Sequence, residues 1–239
     1  MKFIIKLVVV LVLLLNIITF KANAKATLSY NDIVGSDVVT GIIAKDTANF
    51  QTGELVEVIK GEKQKFYYVR SLSTNKLAWV KSSEIAIASQ QNIEIEGLDK
   101  EIIENYINNK NFKTPSKYLI WVDLLRQNTH VFIKEKDGYK LIKTMPCSTG
   151  LNTAPTPKGI FRISARGKWF YSNFYRQGAK HWVRFSGPYL FHSVPMDKQG
   201  KVVDNTLGKK ASHGCVRLSI NDSYWIYKNM PNGTIVYIN

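Results

Sequence analysis

The sequence predicts a mainly β protein in two parts, a small β-barrel domain followed by a larger strand-rich one. Short apolar runs bounded by turn residues recur from Val38 onward, as in small barrels and sandwiches. Further strand-like runs follow Tyr118, two of them meeting at Asp137-Gly138, a hairpin signal. Helical spacing is confined to residues 99–110 and a stretch after Ser219.

The elements can be justified in order. Lys2 and Lys6 precede the apolar run 7–15, and Ala22-Asn23-Ala24 offers an A-x-A site. This is the layout of a secretory signal peptide over residues 1–24, or of a retained N-terminal anchor. The run is shorter than the roughly 20 residues of a membrane span. An exported protein is expected, at the cell wall or the outer face of the membrane. Residues 34–88 hold short strands at 38–43, 55–59, 66–70 and 78–81. Residues 89–116 read as a linker, with Ile102, Ile103, Tyr106 and Ile107 on one face of a short helix that Pro115 stops.

Residues 117–239 form the second domain, with strands at 118–122, 129–134, 139–145 and 159–163. In 166–189, Trp169, Phe170, Tyr175 and Trp182 are interleaved with Arg166, Lys180 and Arg184. Alternation is poor, so a loop or flap over a cleft is expected. Such side chains suit a peptide or sugar ligand carrying carboxylates. Ser219 and Asp222 stand at capping-box spacing before Tyr224, Trp225 and Tyr227. Pro231-Asn232-Gly233 ends that helix, and 234–238 is a closing strand.

The net charge of +15 is unevenly placed. Residues 117–239 carry 19 basic and 6 acidic groups, a net +13, whereas 25–116 are nearly balanced. A domain this basic is drawn to polyanions. For an exported protein these are anionic wall polymers, acidic lipids or peptide carboxylates rather than nucleic acid.

Chemistry concentrates in Ser212-His213-Gly214-Cys215-Val216-Arg217, with His192 upstream. A structural cysteine usually sits in an apolar run; Cys215 follows a glycine in a polar turn. A neighbouring imidazole can take its proton and return it to a leaving amine. His213 and His192 both compete for that task. Gly214 permits close backbone approach, and amides at Gly214 and Cys215 can face a developing oxyanion. A disulfide between Cys147 and Cys215 is not needed by a domain of ordinary apolar content. Zinc on His192, His213 and Cys215 is disfavoured by cramped spacing and the lack of a C-x-x-C pair, so no metal or cofactor is expected.

Two resemblances follow from these residues. Ala78-Trp79-Val80-Lys81-Ser82-Ser83-Glu84-Ile85 resembles the last strand of a bacterial Src-homology-3-like domain. It lacks that family's Arg-Ser-Gly-Pro turn, having Asn49-Phe50-Gln51-Thr52-Gly53 instead. His192-Ser193 with Ser212 to Arg217 resembles the signature of the YkuD-type L,D-transpeptidases. Val122-Asp123-Leu124 with Gln127, Cys147-Ser148-Thr149-Gly150 and Thr156-Pro157-Lys158-Gly159 extend that likeness over about 117–239. It implies a β-sandwich-like catalytic domain with a short helix after the cysteine motif.

The resemblance also implies an enzyme that joins the third residues of peptidoglycan stem peptides, releasing D-alanine through a cysteine acyl-enzyme. Cys215 would be the nucleophile and His192 its proton acceptor and donor, oriented by a backbone carbonyl at Ser193. His213 and Gly214 would support the site and the oxyanion. Arg217, Ser212 and Trp182 are the candidate substrate contacts. Carbapenems are expected to acylate Cys215, and the protein is expected to act as a monomer on stem peptides. Water as acceptor would give an L,D-carboxypeptidase instead, and a wall-binding protein without catalysis is the reading from another class. An NlpC-type endopeptidase is disfavoured, because its histidine follows its cysteine.

Overall fold

The computed structural model describes residues 29–62, 64–90 and 95–239. The expected export signal lies outside these residues. Among the described residues, no helix is long and apolar enough to cross a membrane. A short helix, Tyr30–Val34, belongs to a unit separate from the chain that follows it. At its start Ser29 and Asp32 cap one another, the Ser29 amide and hydroxyl both donating to the Asp32 carboxylate.

The chain from Gly35 onward is one compact unit built on three sheets. The first has the order β4-β3-β2-β1-β5, with β1 at Thr40–Ile43, β2 at Leu55–Glu62, β3 at Phe66–Ser71, β4 at Leu77–Lys81 and β5 at Ile85–Ile87. Alternate residues such as Tyr67 and Val69 turn inward, joining Val56, Val58, Val80 and Phe50 in a core of their own. Period-two alternation requires this, since successive side chains leave opposite faces of a strand. A register shift between Val58 and Lys60 separates the base of the β2–β3 hairpin from its outer end.

A five-stranded sheet of order β8-β7-β6-β14-β9 follows. Its strands are β6 (Tyr118–Asp123), β7 (Asn128–Glu135), β8 (Gly138–Pro146), β9 (Gly159–Arg162) and β14 (Ile235–Ile238). The β7–β8 hairpin forms where expected, one residue out of place. Its two loop residues are Lys136 and Asp137, and Gly138 already pairs with Glu135 at φ +122°. Glycine is required there because Asn108 Oδ1 accepts from the Tyr139 amide at 2.7 Å. A Cβ on residue 138 would stand 2.6 Å from that oxygen.

The helix α1 (Lys100–Asn108) covers the outer face of this sheet and buries Ile103, Tyr106 and Ile107. Tyr106 packs 4.8 Å from Trp121, and Glu104 accepts from the Leu141 amide. Strand β6 is therefore buried on both faces and reads as a continuous apolar run.

The third sheet, β10-β11-β12-β13, packs on the inner face of the second. It comprises β10 (Ala165–Ser172), β11 (Gln177–Ser186), β12 (Tyr189–Ser193) and β13 (Val216–Leu218). Ile120, Val122, Val131 and Val236 from one sheet meet Val183, Phe185, Phe191 and Val216 from the other in one core. The fold is the mainly β sandwich that was predicted. Helix α2 (Ile220–Asn229) joins β13 to β14, and Ser219 Oγ accepts from the Asp222 amide at its start.

The segment 166–189 corrects the expectation of a loop. Strands β10 and β11 form a regular antiparallel hairpin from Ala165↔Arg184 to Ser172↔Gln177. Its alternation is hidden because β10 is half-buried along most of its length. Phe170 and Tyr175 serve the cavity described below, and the other face is partly wet, so aromatic residues occur on both.

Candidate active site

Strands β12 and β13 run parallel with Phe191↔Val216, His192↔Arg217 and Ser193↔Leu218 in register. Phe191, Val216 and Leu218 point into the core. By alternation Leu190, His192 and Arg217 share the opposite face; Cys215 sits in the bend just before β13, and all four line one cavity of about 760 Å³. Ser212 and His213 line it too. The 22 intervening residues are thus bridged by a single parallel strand pair.

His192 is 7% exposed. Its Nδ1 donates to the Ser193 carbonyl at 2.6 Å, which places the proton on Nδ1 and leaves Nε2 as the free acceptor. The Phe170 ring stands edge-on at 5.5 Å. Burial pulls its pKa down to about 4, helped by the Arg217 charge and opposed by the Ser193 bond. The Cys215 thiol donates weakly to the Pro188 carbonyl at 3.8 Å. Burial pushes its pKa up to about 11, against the Leu190 amide and the charges of Arg217 and Arg184.

Between these limits the resting pair is a neutral thiol and a neutral imidazole. Alkylation of Cys215 by iodoacetamide, which needs the thiolate, is expected to rise about tenfold per pH unit from about pH 6 to 9. A rate that is flat through neutral pH would show a standing thiolate–imidazolium pair instead. Cys147 will not confuse the readout: it is a free, fully buried core residue whose thiol burial pushes up to about 12.

The turn before Cys215 is fixed by hydrogen bonds. Ser212 Oγ donates to the Cys215 carbonyl at 2.5 Å and accepts from the Gly214 amide at 3.0 Å. Thr156 Oγ1 donates to the Gly214 carbonyl and accepts from the Gly150 amide, both at 2.9 Å. Farther back, Gln127 holds Thr149 through the Thr149 amide at 2.8 Å. Ser148 and Arg217 exchange backbone hydrogen bonds.

These bonds revise several sequence expectations. The Ser212 hydroxyl is committed to the turn and is not a free substrate contact. The Gly214 amide is taken by Ser212, whereas the Cys215 amide has no acceptor among the described residues. Arg217 does meet a carboxylate, but it is Asp204 of this chain, at 2.7 Å. Asp204 is held below the usual carboxylate range first by Thr206 and also by Arg217. Trp182 is not among the cavity's lining residues; its indole donates to the Trp169 carbonyl at 3.3 Å and Arg184 stacks over it. His213 stacks on Tyr175 at 4.5 Å and shapes the cavity from the side.

Gly214 sits at φ +110°, and a Cβ there would fall 2.6 Å from the Tyr189 ring. Gly214→Ala is expected to lower stability by about 1–3 kcal/mol and to displace Cys215. Thermal melting checks the first effect, and Cys215 alkylation under native conditions checks the second. An unchanged melting temperature with unchanged alkylation would refute both. Tyr189, Thr156 and Asp204 escaped sequence reasoning because their partners lie 25 or more residues away or in unremarkable loop sequence. Thr156 at least stood within a recognised motif.

Residues 117–238 match the family model for the YkuD L,D-transpeptidase catalytic domain. The chain is 44% identical over 128 residues to YciB of Bacillus subtilis (strain 168), provisionally named an L,D-transpeptidase; this covers 50% of the chain and 65% of YciB. It is 28% identical over 126 residues to L,D-transpeptidase 2 of Mycobacterium tuberculosis (strain CDC 1551 / Oshkosh), covering 46% of the chain and 29% of that protein. A solved structure from Clostridium acetobutylicum ATCC 824, described as a fused Zn-dependent amidase/peptidase/peptidoglycan-binding domain-containing protein, superposes with a TM-score of 0.50 at 34% identity. That superposition covers 59% of each chain. The chain spans less than two thirds of each of these relatives. With its family match covering half of its length, this chain belongs to the YkuD family of L,D-transpeptidase catalytic domains.

Proposed function

We propose that this protein is a peptidoglycan L,D-transpeptidase acting outside the cytoplasmic membrane through Cys215 and His192. The observation that carries the reading is that β12 and the bend leading into β13 bring His192 and Cys215 to one cavity, with the imidazole already in the acceptor tautomer. Family membership and the signal-like N-terminus support the setting.

In this reading Cys215 Sγ attacks the carbonyl carbon of the third stem residue while its proton passes to His192 Nε2. The carbonyl oxygen becomes an oxyanion and accepts from the Cys215 amide. As the carbonyl re-forms, the C–N bond to D-alanine breaks. His192 returns the proton to the leaving amine, and a thioester remains. The side-chain amine of a second stem attacks that thioester and gives its proton to His192; the C–S bond breaks as the amide forms, and His192 passes the proton to the Cys215 sulfur, restoring the thiol. His192 works in both directions because its neutral form is the resting one.

Incubation of the purified protein with disaccharide-tetrapeptide tests the proposal by mass analysis of the products. Cross-linked dimer and free D-alanine are expected. Tripeptide with D-alanine and no dimer would point to water as the acceptor and to a carboxypeptidase. Unchanged substrate would leave only a wall-binding role.

A further inference from the structure

One wall of the Cys215 cavity comes from the small sheet. Lys60, Gly61, Glu62 and Gln64 of the β2–β3 hairpin and Trp79 of β4 line it together with His192, Cys215 and Arg217. The hairpin end lies beyond the register shift at Val58 to Lys60. Several bonds anchor it. Tyr189 Oη donates to the Gly61 carbonyl at 2.9 Å, and Tyr67 Oη to the Thr153 carbonyl at 2.8 Å. Lys158 pairs with the buried Glu57 at 2.9 Å. The Tyr189 ring is the same group that packs over Gly214, so the hairpin is tied to the residue preceding Cys215.

Within this wall the Lys60 ammonium stands 5.5 Å from the Tyr68 ring and 5.2 Å from the Trp79 ring. The two rings are 5.3 Å apart. Cation–π contacts hold the ammonium in place without neutralising it. Among the described residues no carboxylate lies within ion-pairing distance of Lys60, whereas the cavity's other permanent cation, Arg217, is paired with Asp204. Trp79 is 42% exposed and offers an apolar face beside the charge. A half-buried, pre-positioned and unneutralised cation in a peptide-sized cavity is built to receive an anion.

We infer that the small sheet completes the substrate cavity, and that Lys60, set against Tyr68 and Trp79, binds a carboxylate of the stem peptide. The inference rests on the proposed function for its ligand. It gives the small domain a role in specificity rather than that of a spacer.

The test uses the full chain carrying Cys215→Ala, so that binding is measured without turnover. Its affinity for disaccharide-tetrapeptide is compared with that of Lys60→Met, Lys60→Arg and Trp79→Ala added to the same background. Lys60→Met is expected to weaken binding roughly fivefold or more, Trp79→Ala to weaken it as well, and Lys60→Arg to bind much as the parent. Peptides with one carboxylate amidated at a time identify the partner. With one of them the difference between the parent and Lys60→Met should vanish. Parent-like binding by Lys60→Met, a loss that persists with every amidated peptide, or no saturable binding by the parent would overturn the inference. Cross-linking by the Cys215-containing protein, measured separately, distinguishes the two readings. Dimer formation without a Lys60 effect sinks only the subsite. A Lys60 effect on binding without dimer or D-alanine release sinks only the transpeptidase assignment.

Discussion

Cys215→Ala is expected to abolish both dimer formation and D-alanine release, a fall of at least about 10³-fold, because the covalent step loses its only nucleophile. The same substitution should prevent the carbapenem adduct that intact-mass analysis is expected to find on the parent protein. The fold should survive, since the sulfur lies at a cavity wall and its turn is held by Ser212, Thr156 and the Gly214 backbone. Dimer formation by the alanine variant, or an adduct that persists in it, would end the mechanism. Cys147 cannot substitute for it, being sealed in the sandwich core.

The second large effect belongs to His192. His192→Gln retains a polar side chain of similar reach but cannot accept a proton, and turnover is expected to fall by about 10²–10⁴-fold. His213→Ala should cost much less on the proposed mechanism, in which His192 exchanges the proton and His213, stacked on Tyr175, only shapes the cavity. Steady-state rates of the two variants with the same donor settle the assignment. A larger loss at His213 than at His192 would reverse the roles. Because burial holds the His192 pKa near 4, the wild-type rate should stay level as pH falls through 6. An acid limb in the His192→Gln variant would then have another source.

The candidate pair that the fold brings to one cavity could be picked out in the sequence. Few histidines and cysteines, a polar glycine turn before Cys215, and the order of His192 before Cys215 were all local facts. Strand texture was legible for the same reason: alternation is imposed by the pleat wherever one face is buried, as in β3. It failed in 166–189, where a hairpin places aromatic rings on a cavity face and on a partly wet face. Periodicity cannot separate two half-buried faces. The hairpin at Gly138 was found but shifted by one residue, because the need for glycine comes from Asn108, on a helix 30 residues earlier.

Assignments that depended on which atom meets which partner needed the folded chain. Ser212 and Arg217 are polar residues in a reactive motif, and from residue type alone both suit a ligand. Folding commits the first to its own turn and the second to Asp204. Trp182 looked equivalent to the other aromatics until strand register put it against Gly167 and away from the cavity. Lys60 carries no motif at all, and Trp79 stands only in the strand that resembles a Src-homology-3-like domain, with nothing there to link it to Cys215. They reach the site only because a hairpin more than 100 residues upstream is anchored beside Cys215 through Tyr189 and Tyr67. Residue chemistry and short-range order are written in the chain and can be read there. Long-range pairing is set by the packing of whole elements, and with it the identity of the groups that remain free to meet a substrate.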